Sequence, residues 1–268
     1  MKGTLYLVST PVGNLKDITY RAIEVLTNVD IVFCEDTRVT IKLMNHYNIK
    51  KKLATLHKFN EMQKVDEFAK RLDAGENLAL VSDAGTPLLS DPGIFIVPEL
   101  LKLGYNIEPI PGASAILPAI QLSGLVKKEF LFLGFLPESN KELTLLFDKL
   151  INLKYPIFFY LSPHKVKKTL NIVKKHFGDI EVVMMRELTK KFEERIEGKI
   201  STILEREEYK GEIVVGFIPP LKDENYDIKK MIEKYKDAKF STKDISKIVA
   251  IQTGIKKKEI YQLLLDGK

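Results

Sequence analysis

Two α/β domains in series, with a ligand cleft between them and a short C-terminal helical extension, are what this sequence predicts. Three observations predict it. Short apolar, β-branched runs alternate with segments of helical period, the pattern of βα units in a mainly parallel sheet covered by helices. Most of those runs end in Gly- and Pro-containing loops. The alternation breaks at a polar, Gly-containing segment, Ser123–Lys128, and changes character after Pro219-Pro220.

In chain order, the runs 4–10 (TLYLVST), 29–35 (VDIVFCE), 77–83 (NLALVSD) and 106–111 (NIEPIP) read as strands. Helical spacing marks 18–26 and 65–72 between them. A second series follows: 130–136 (FLFLGFL), 156–162 (PIFFYLS), 181–187 (EVVMMRE) and 212–218 (EIVVGFI), again with helices between. The expected domains are therefore 1–123, 124–220 and a helical region 221–268. In the last, Ser241 to Asp244 resembles a capping box with Ile245, Ile248 and Val249 inward. Thr253-Gly254 breaks that helix, and 256–265 starts another with Ile260, Leu263 and Leu264 on one side. The shape is a helix-turn-helix, a helical hairpin packed on the preceding domain, or both.

With 45% hydrophobic and 29% charged residues, a chain of 268 can bury a sizeable core without staples. The single cysteine, Cys34, rules out a disulfide framework within the chain and reads as a buried thiol. The run 4–8 is too short for a membrane anchor, so a cytoplasmic protein is expected. His46, His57, His164 and His176 are too scattered for a metal site, and none is predicted. The net charge is +6, and 221–268 carries 12 lysines against 8 carboxylates. That excess points to a polyanionic partner.

Four loops at strand carboxyl ends are where a parallel sheet keeps its ligands. The first, 9–15 (STPVGNL), is neither a P-loop nor GxGxxG. The second joins 82–87 (SDAGTP) to 88–93 (LLSDPG), and its Asp83 is suited to a cationic or hydroxylated ligand. The third, 111–115 (PGASA), is small enough for a flat ring or a close backbone contact. The fourth, 35–38 (EDTR), either positions a substrate or forms a capping and ion-pair cluster.

In this order the four loops resemble the tetrapyrrole-methylase superfamily of S-adenosylmethionine-dependent enzymes. Within it, the sequence is similar to the family of ribosomal RNA small-subunit methyltransferases I. The likeness continues through Ser162-Pro163-His164, 186–190 (RELTK) and 210–212 (KGE). It departs from the family at Leu161, where a Glu is usual, and at 57–61 (HKFNE), where His-Glu-His-Asn-Glu is usual. The resemblance implies methyl transfer to the ribose 2′-hydroxyl of a cytidine in 16S rRNA, with the small ribosomal subunit as partner and a homodimeric enzyme.

It further implies that S-adenosylmethionine lies against Pro11, Gly13, Asp83, Ala84, Gly85, Thr86, Ser114 and Ala115, closed over by Tyr160 and Met185. Candidates for chemistry or substrate positioning are Asp36, Arg38, Glu187 and Lys190. Asp36 or Glu187 would take the proton while Lys190 or Arg38 holds the RNA backbone. An ordinary ion pair is the competing reading of Glu187 and Lys190. Two other functions compete: a porphyrin or corrin methyltransferase, with no use for a lysine-rich tail, and a non-enzymatic RNA-binding or assembly protein.

Overall fold

Strand β1 (Thr4–Val8) lies between β4 (Leu78–Val81) and β5 (Asn106–Ile110), parallel to both, with Tyr6 level with Ala79 and Glu108. With β2 (Ile31–Cys34) and β3 (Lys52–Thr55) they form a five-stranded parallel sheet in the order β3-β2-β4-β1-β5. The computed structural model describes residues 1–151, 153–220, 228–253 and 255–266. The proposed break at Gly254 and the start of the basic tail at 221–227 lie outside these.

Alternation along the strands decides which helix covers which face. Leu5, Ile31, Phe33, Leu78 and Leu80 point to one side, where α3 (Glu61–Asp73) and α4 (Ile96–Lys102) bury Phe68, Leu72, Ile96 and Leu100. Val8, Val32, Cys34, Ala79 and Val81 point to the other, under Ala22 and Leu26 of α1 (Tyr20–Asn28) and Met44 of α2 (Thr37–His46). Helix α1 starts where Thr19 Oγ1 accepts from Ala22 N at 3.1 Å. Helix α4 is capped from a distance: the Oε2 of buried Glu61 accepts from Phe95 N (2.8 Å) and Ile96 N (3.1 Å). The Glu61 carboxylate thus ties the start of α3 to the start of α4.

The second sheet differs from the first in direction. Strands β6 (Leu131–Phe135), β7 (Ile157–Leu161), β8 (Glu181–Arg186), β9 (Glu194–Lys199) and β10 (Ile213–Phe217) run in the order β6-β7-β10-β8-β9. Strands β6 and β7 are parallel, whereas β7-β10, β10-β8 and β8-β9 are antiparallel. Helix α5 (Ile116–Ser123) packs Ile116 and Ala119 on Phe158, Val183, Met185 and Val214. On the opposite face Phe217 meets Phe159 and, from α7 (Val166–Phe177), Phe177, which meets Phe147 of α6 (Asn140–Leu150) edge-on. A short α8 (Ile200–Leu204) links β9 to β10. Residues 1–148 and 155–219 form one compact unit that holds both sheets.

Residues 149–154 and 220–268 group as a second unit. It contains α9 (Ile228–Asp237), α10 (Thr242–Thr253) and α11 (Lys257–Asp266), around Ile232, Ile245, Val249, Ile260 and Leu264. Ser241 Oγ accepts from Asp244 N at 3.1 Å and donates to Asp244 Oδ2, so the serine caps the helix as the first half of the expected box. Ile248 is half-buried and Leu263 is 47% exposed, so Leu263 does not share the inner face expected of it. Among the described residues, no helix is long and apolar enough to cross a membrane.

Glu61 offers a direct test of how α4 is held. Glu61→Ala leaves the buried Ile96 N–H and the part-buried Phe95 N–H unpaired and is expected to cost about 1–3 kcal/mol in urea unfolding. Glu61→Gln keeps an acceptor oxygen and is expected to cost less than half as much.

Candidate active site

Three of the loops singled out in the sequence are locked together by polar groups sunk into the sheet's carboxyl edge. Thr10 and Gly85 form an isolated antiparallel bridge, with N···O distances of 2.8 and 2.9 Å. The hydroxyl of Thr10, itself 2% exposed, donates to Ser82 O at 3.0 Å, and Ser82 Oγ donates to Gly85 O at 2.8 Å. Ser9 Oγ donates to Thr86 Oγ1 (3.2 Å), which donates to Ala113 O (3.0 Å). The loop after β4 can close on β1 because Gly85 sits at φ +92°, in the left-handed region.

These loops wall one side of a cavity of about 360 Å³. Asp83, Ala84, Gly85, Thr86, Ser114 and Ala115 line it from the first sheet, together with Val12, Leu89, Ser90 and Asp91. Tyr160 lines it from β7, beside Phe135, Leu161, Ser162 and Pro163. Leu188 and residues 211–214 complete the wall. Three residues expected here do not line it. Pro11 flanks the Thr10 bridge. Met185 is wholly buried against α5. Gly13 instead seats the neighbouring loop: a Cβ there would fall 2.3 Å from Lys190 Cγ and 2.9 Å from Leu188 O.

Asp36 and Arg38 pair with each other. Asp36 caps α2 by accepting from Arg38 N (2.8 Å), and its carboxylate takes the guanidinium at 2.6–3.1 Å. The Arg38 contacts hold the Asp36 carboxyl down at about 2. Asp36 N donates to Asp83 Oδ1 at 3.2 Å, which brings the EDTR loop against the cavity loops. Glu187 and Lys190 also form a closed set. Lys190 Nζ meets Glu187 Oε1 at 2.9 Å and Glu212 Oε2 at 3.3 Å, and Glu187 Oε1 accepts from Glu212 N at 3.0 Å. The Lys190 hydrogen bond holds the Glu187 carboxyl below its usual range. Arg186 pairs with Glu194 at 3.1 Å.

The cavity wall carries Asp83, Asp91 and Glu212 and, among the described residues, no Lys, Arg or His. Burial raises the Asp83 carboxyl, and nearby Glu35 is raised for the same reason. Asp91 is pushed up to about 7, first by burial and then by the charges of Glu35 and Asp83. Burial lifts the Tyr160 hydroxyl to about 12. Asp91 was in view in the second loop, but nothing in its spacing separates a capping Asp from one aimed into a cavity. The described residues contain no group of three or more His, Cys, Asp or Glu arranged to hold a metal ion.

Backbone strain gathers in the same two loops. Among the described residues six non-glycine residues have positive φ, and four of them are Leu88 (70°), Ser90 (77°), Glu187 (53°) and Thr189 (66°). Such conformations cost about 1–3 kcal/mol each and persist where the surroundings over-determine them, commonly at functional sites.

The family model described as Tetrapyrrole (Corrin/Porphyrin) Methylases matches residues 4–204. A Bacillus subtilis protein named Ribosomal RNA small subunit methyltransferase I is 38% identical, over 97% of this chain and 93% of its own. The chain belongs to that methyltransferase family. Its Rickettsia prowazekii member is likewise 38% identical, over 98% and 97% of the two chains. Among solved structures the fold is shared with a diphthine synthase (TM-score 0.66, 15% identity, 84% and 94% covered). It is also shared with the uroporphyrin III C-methyltransferase of Thermus thermophilus (TM-score 0.58, 14% identity, 80% and 97% covered).

The loop lock of this family member can be measured. Thr10→Val removes the donor to the buried Ser82 carbonyl and is expected to cost about 1–3 kcal/mol in urea unfolding. Hydrogen exchange should show faster amide exchange at Gly85, whose N–H bonds to Thr10 O.

Proposed function

We propose that this protein transfers a methyl group from S-adenosylmethionine to the 2′-hydroxyl of a cytidine ribose in small-subunit (16S) ribosomal RNA, acting in the cytoplasm as a homodimer. The observation that carries the cofactor assignment is the cavity's wall chemistry: mostly small and apolar residues, with three carboxylates and, among the described residues, no cation. A charged ligand seated there is favoured if it is positive, as a sulfonium with an ammonium group is. The names carried by relatives alike over nearly the whole chain support the rRNA acceptor.

Residues 83–86 and 114–115, with Tyr160, would hold the cofactor. When bound, S-adenosylmethionine supplies a methyl group already activated for in-line displacement. What the chain itself must do is orient the acceptor and keep water out. The pinned loops provide a rigid floor for this. Leu188 and Leu161 present apolar surface opposite them. The Glu187–Lys190–Glu212 set fixes the β8–β9 corner, where Lys190 would meet an RNA phosphate, or Arg38 would do so from the start of α2.

The deciding experiment incubates the protein with labelled S-adenosylmethionine and small subunits from cells lacking the enzyme. Label is expected on a cytidine ribose, mapped by nuclease digestion and mass spectrometry. Cofactor binding without label in subunits or free RNA would overturn the acceptor. A second measurement addresses the cofactor. Asp83→Asn keeps an acceptor for Asp36 N but removes the charge. It is expected to weaken S-adenosylmethionine about tenfold (~1.4 kcal/mol) and its uncharged-sulfur product less.

A further inference from the structure

The reactive carboxylates near the cavity differ sharply in what already holds them. Asp36 is occupied by Arg38. Glu187 is occupied by Lys190 and by Glu212 N. Glu212 shares Lys190. Asp83 accepts from Asp36 N. Of the three carboxylates in the cavity wall, Asp83, Asp91 and Glu212, Asp91 alone, in the described residues, has neither a hydrogen-bond donor nor a cation against it. Nor is it there by a slack loop. Leu88 and Ser90 at positive φ and Gly93 at φ +116° fold the segment tightly. Gly134 of β6 comes so close that a Cβ would sit 2.8 Å from Ser90 Oγ.

We infer that Asp91 is the general base that receives the proton of the acceptor hydroxyl. The inference rests on the proposed function. As the ribose oxygen forms its new bond to the methyl carbon, the C–S bond breaks and its electron pair stays on sulfur, leaving a neutral thioether. The hydroxyl proton passes to an Asp91 carboxylate oxygen and from there to solvent. An unpartnered carboxylate in a half-buried wall is suited to this, because no counter-ion stabilises its charged form and protonation relieves repulsion. The charged groups that raise its proton affinity are Glu35, which follows β2, and Asp83, which follows β4; Tyr160 and Glu212 are the titratable groups on the facing wall. With burial, the two carboxylates Glu35 and Asp83 bring its titration to about 7, where a base is both free and strong enough to work.

The test compares wild type with Asp91→Asn in single-turnover transfer to small subunits from pH 5.5 to 9, with calorimetric binding of S-adenosylhomocysteine alongside. The wild-type rate is expected to rise with pH around a midpoint near 7. The variant is expected to be about 10²–10⁴-fold slower and to lack that rise, with product affinity within about threefold of wild type. A melting series provides a readout free of activity. The native carboxyl titrates above its unfolded value, so its ionisation destabilises the fold increasingly as pH climbs from about 4 to about 7. The melting-temperature gain of Asp91→Asn should therefore grow across that window and level off above it. A variant rate within tenfold of wild type, a rising limb that survives in the variant, or a rate loss matched by lost product affinity would each overturn Asp91 as base. A wild type that binds the product yet labels no subunit overturns the proposed function and this inference together. Labelling by wild type with an unaffected variant overturns only the base.

Discussion

The bridge between Thr10 and Gly85 is the constraint on which the site depends. It joins the loops after two neighbouring strands of a parallel sheet, β1 and β4, at a point where strands normally diverge into separate helices. The cost is a set of polar groups, Ser9, Thr10 and Ser82, buried to within 3% of full enclosure. Their hydroxyls offset it by donating within the loops, Thr10 and Ser82 to carbonyls and Ser9 to the Thr86 hydroxyl. The cavity floor is therefore built from backbone held by backbone, with few long side chains to reorganise when a ligand arrives.

Much of the fold was legible because buried strands announce themselves. The eight runs became β1, β2, β4, β5, β6, β7, β8 and β10, the inner strands because a sheet covered on both faces needs unbroken apolar sequence. Strand β3, with only Lys-Leu-Ala-Thr at a sheet edge, carries no such signal. Nor does β9, whose alternate residues face solvent as Arg195, Glu197 and Lys199. Helix α9, within the expected helical region 221–268, carries Ile228, Met231, Ile232 and Tyr235 at helical spacing, but had no expected boundaries of its own. The antiparallel second sheet was hidden for another reason: periodicity gives a strand's faces and says nothing of its direction.

At the site, sequence order gathered the loops but not the orientation of single side chains. Tyr160 and Met185 sit opposite one another across β7, β10 and β8, in register with Val214. One reaches the cavity and the other is sealed under α5, a difference set by helix placement rather than by residue type. Charged neighbours mislead in a similar way. Asp36 and Arg38 stand out in the chain, yet they largely satisfy each other. Asp91 looked like one more turn residue, and its isolation from any partner emerges only when β2, β4 and the second sheet are assembled round it.

The position of β1 in the first sheet bears on how the chain acquires its shape during synthesis. Thr4 pairs with Asn106, so the strand made first occupies an interior slot whose last neighbour is made 102 residues later. At about 5–20 residues per second, β1 waits about 5–20 s for that partner. Through that interval Leu5 and Val8, both fully enclosed in the finished protein, stay on an incomplete sheet edge. The nascent chain is thus most open to misassociation while its first strand is still unpaired on one side, and the arrival of β5 ends that exposure.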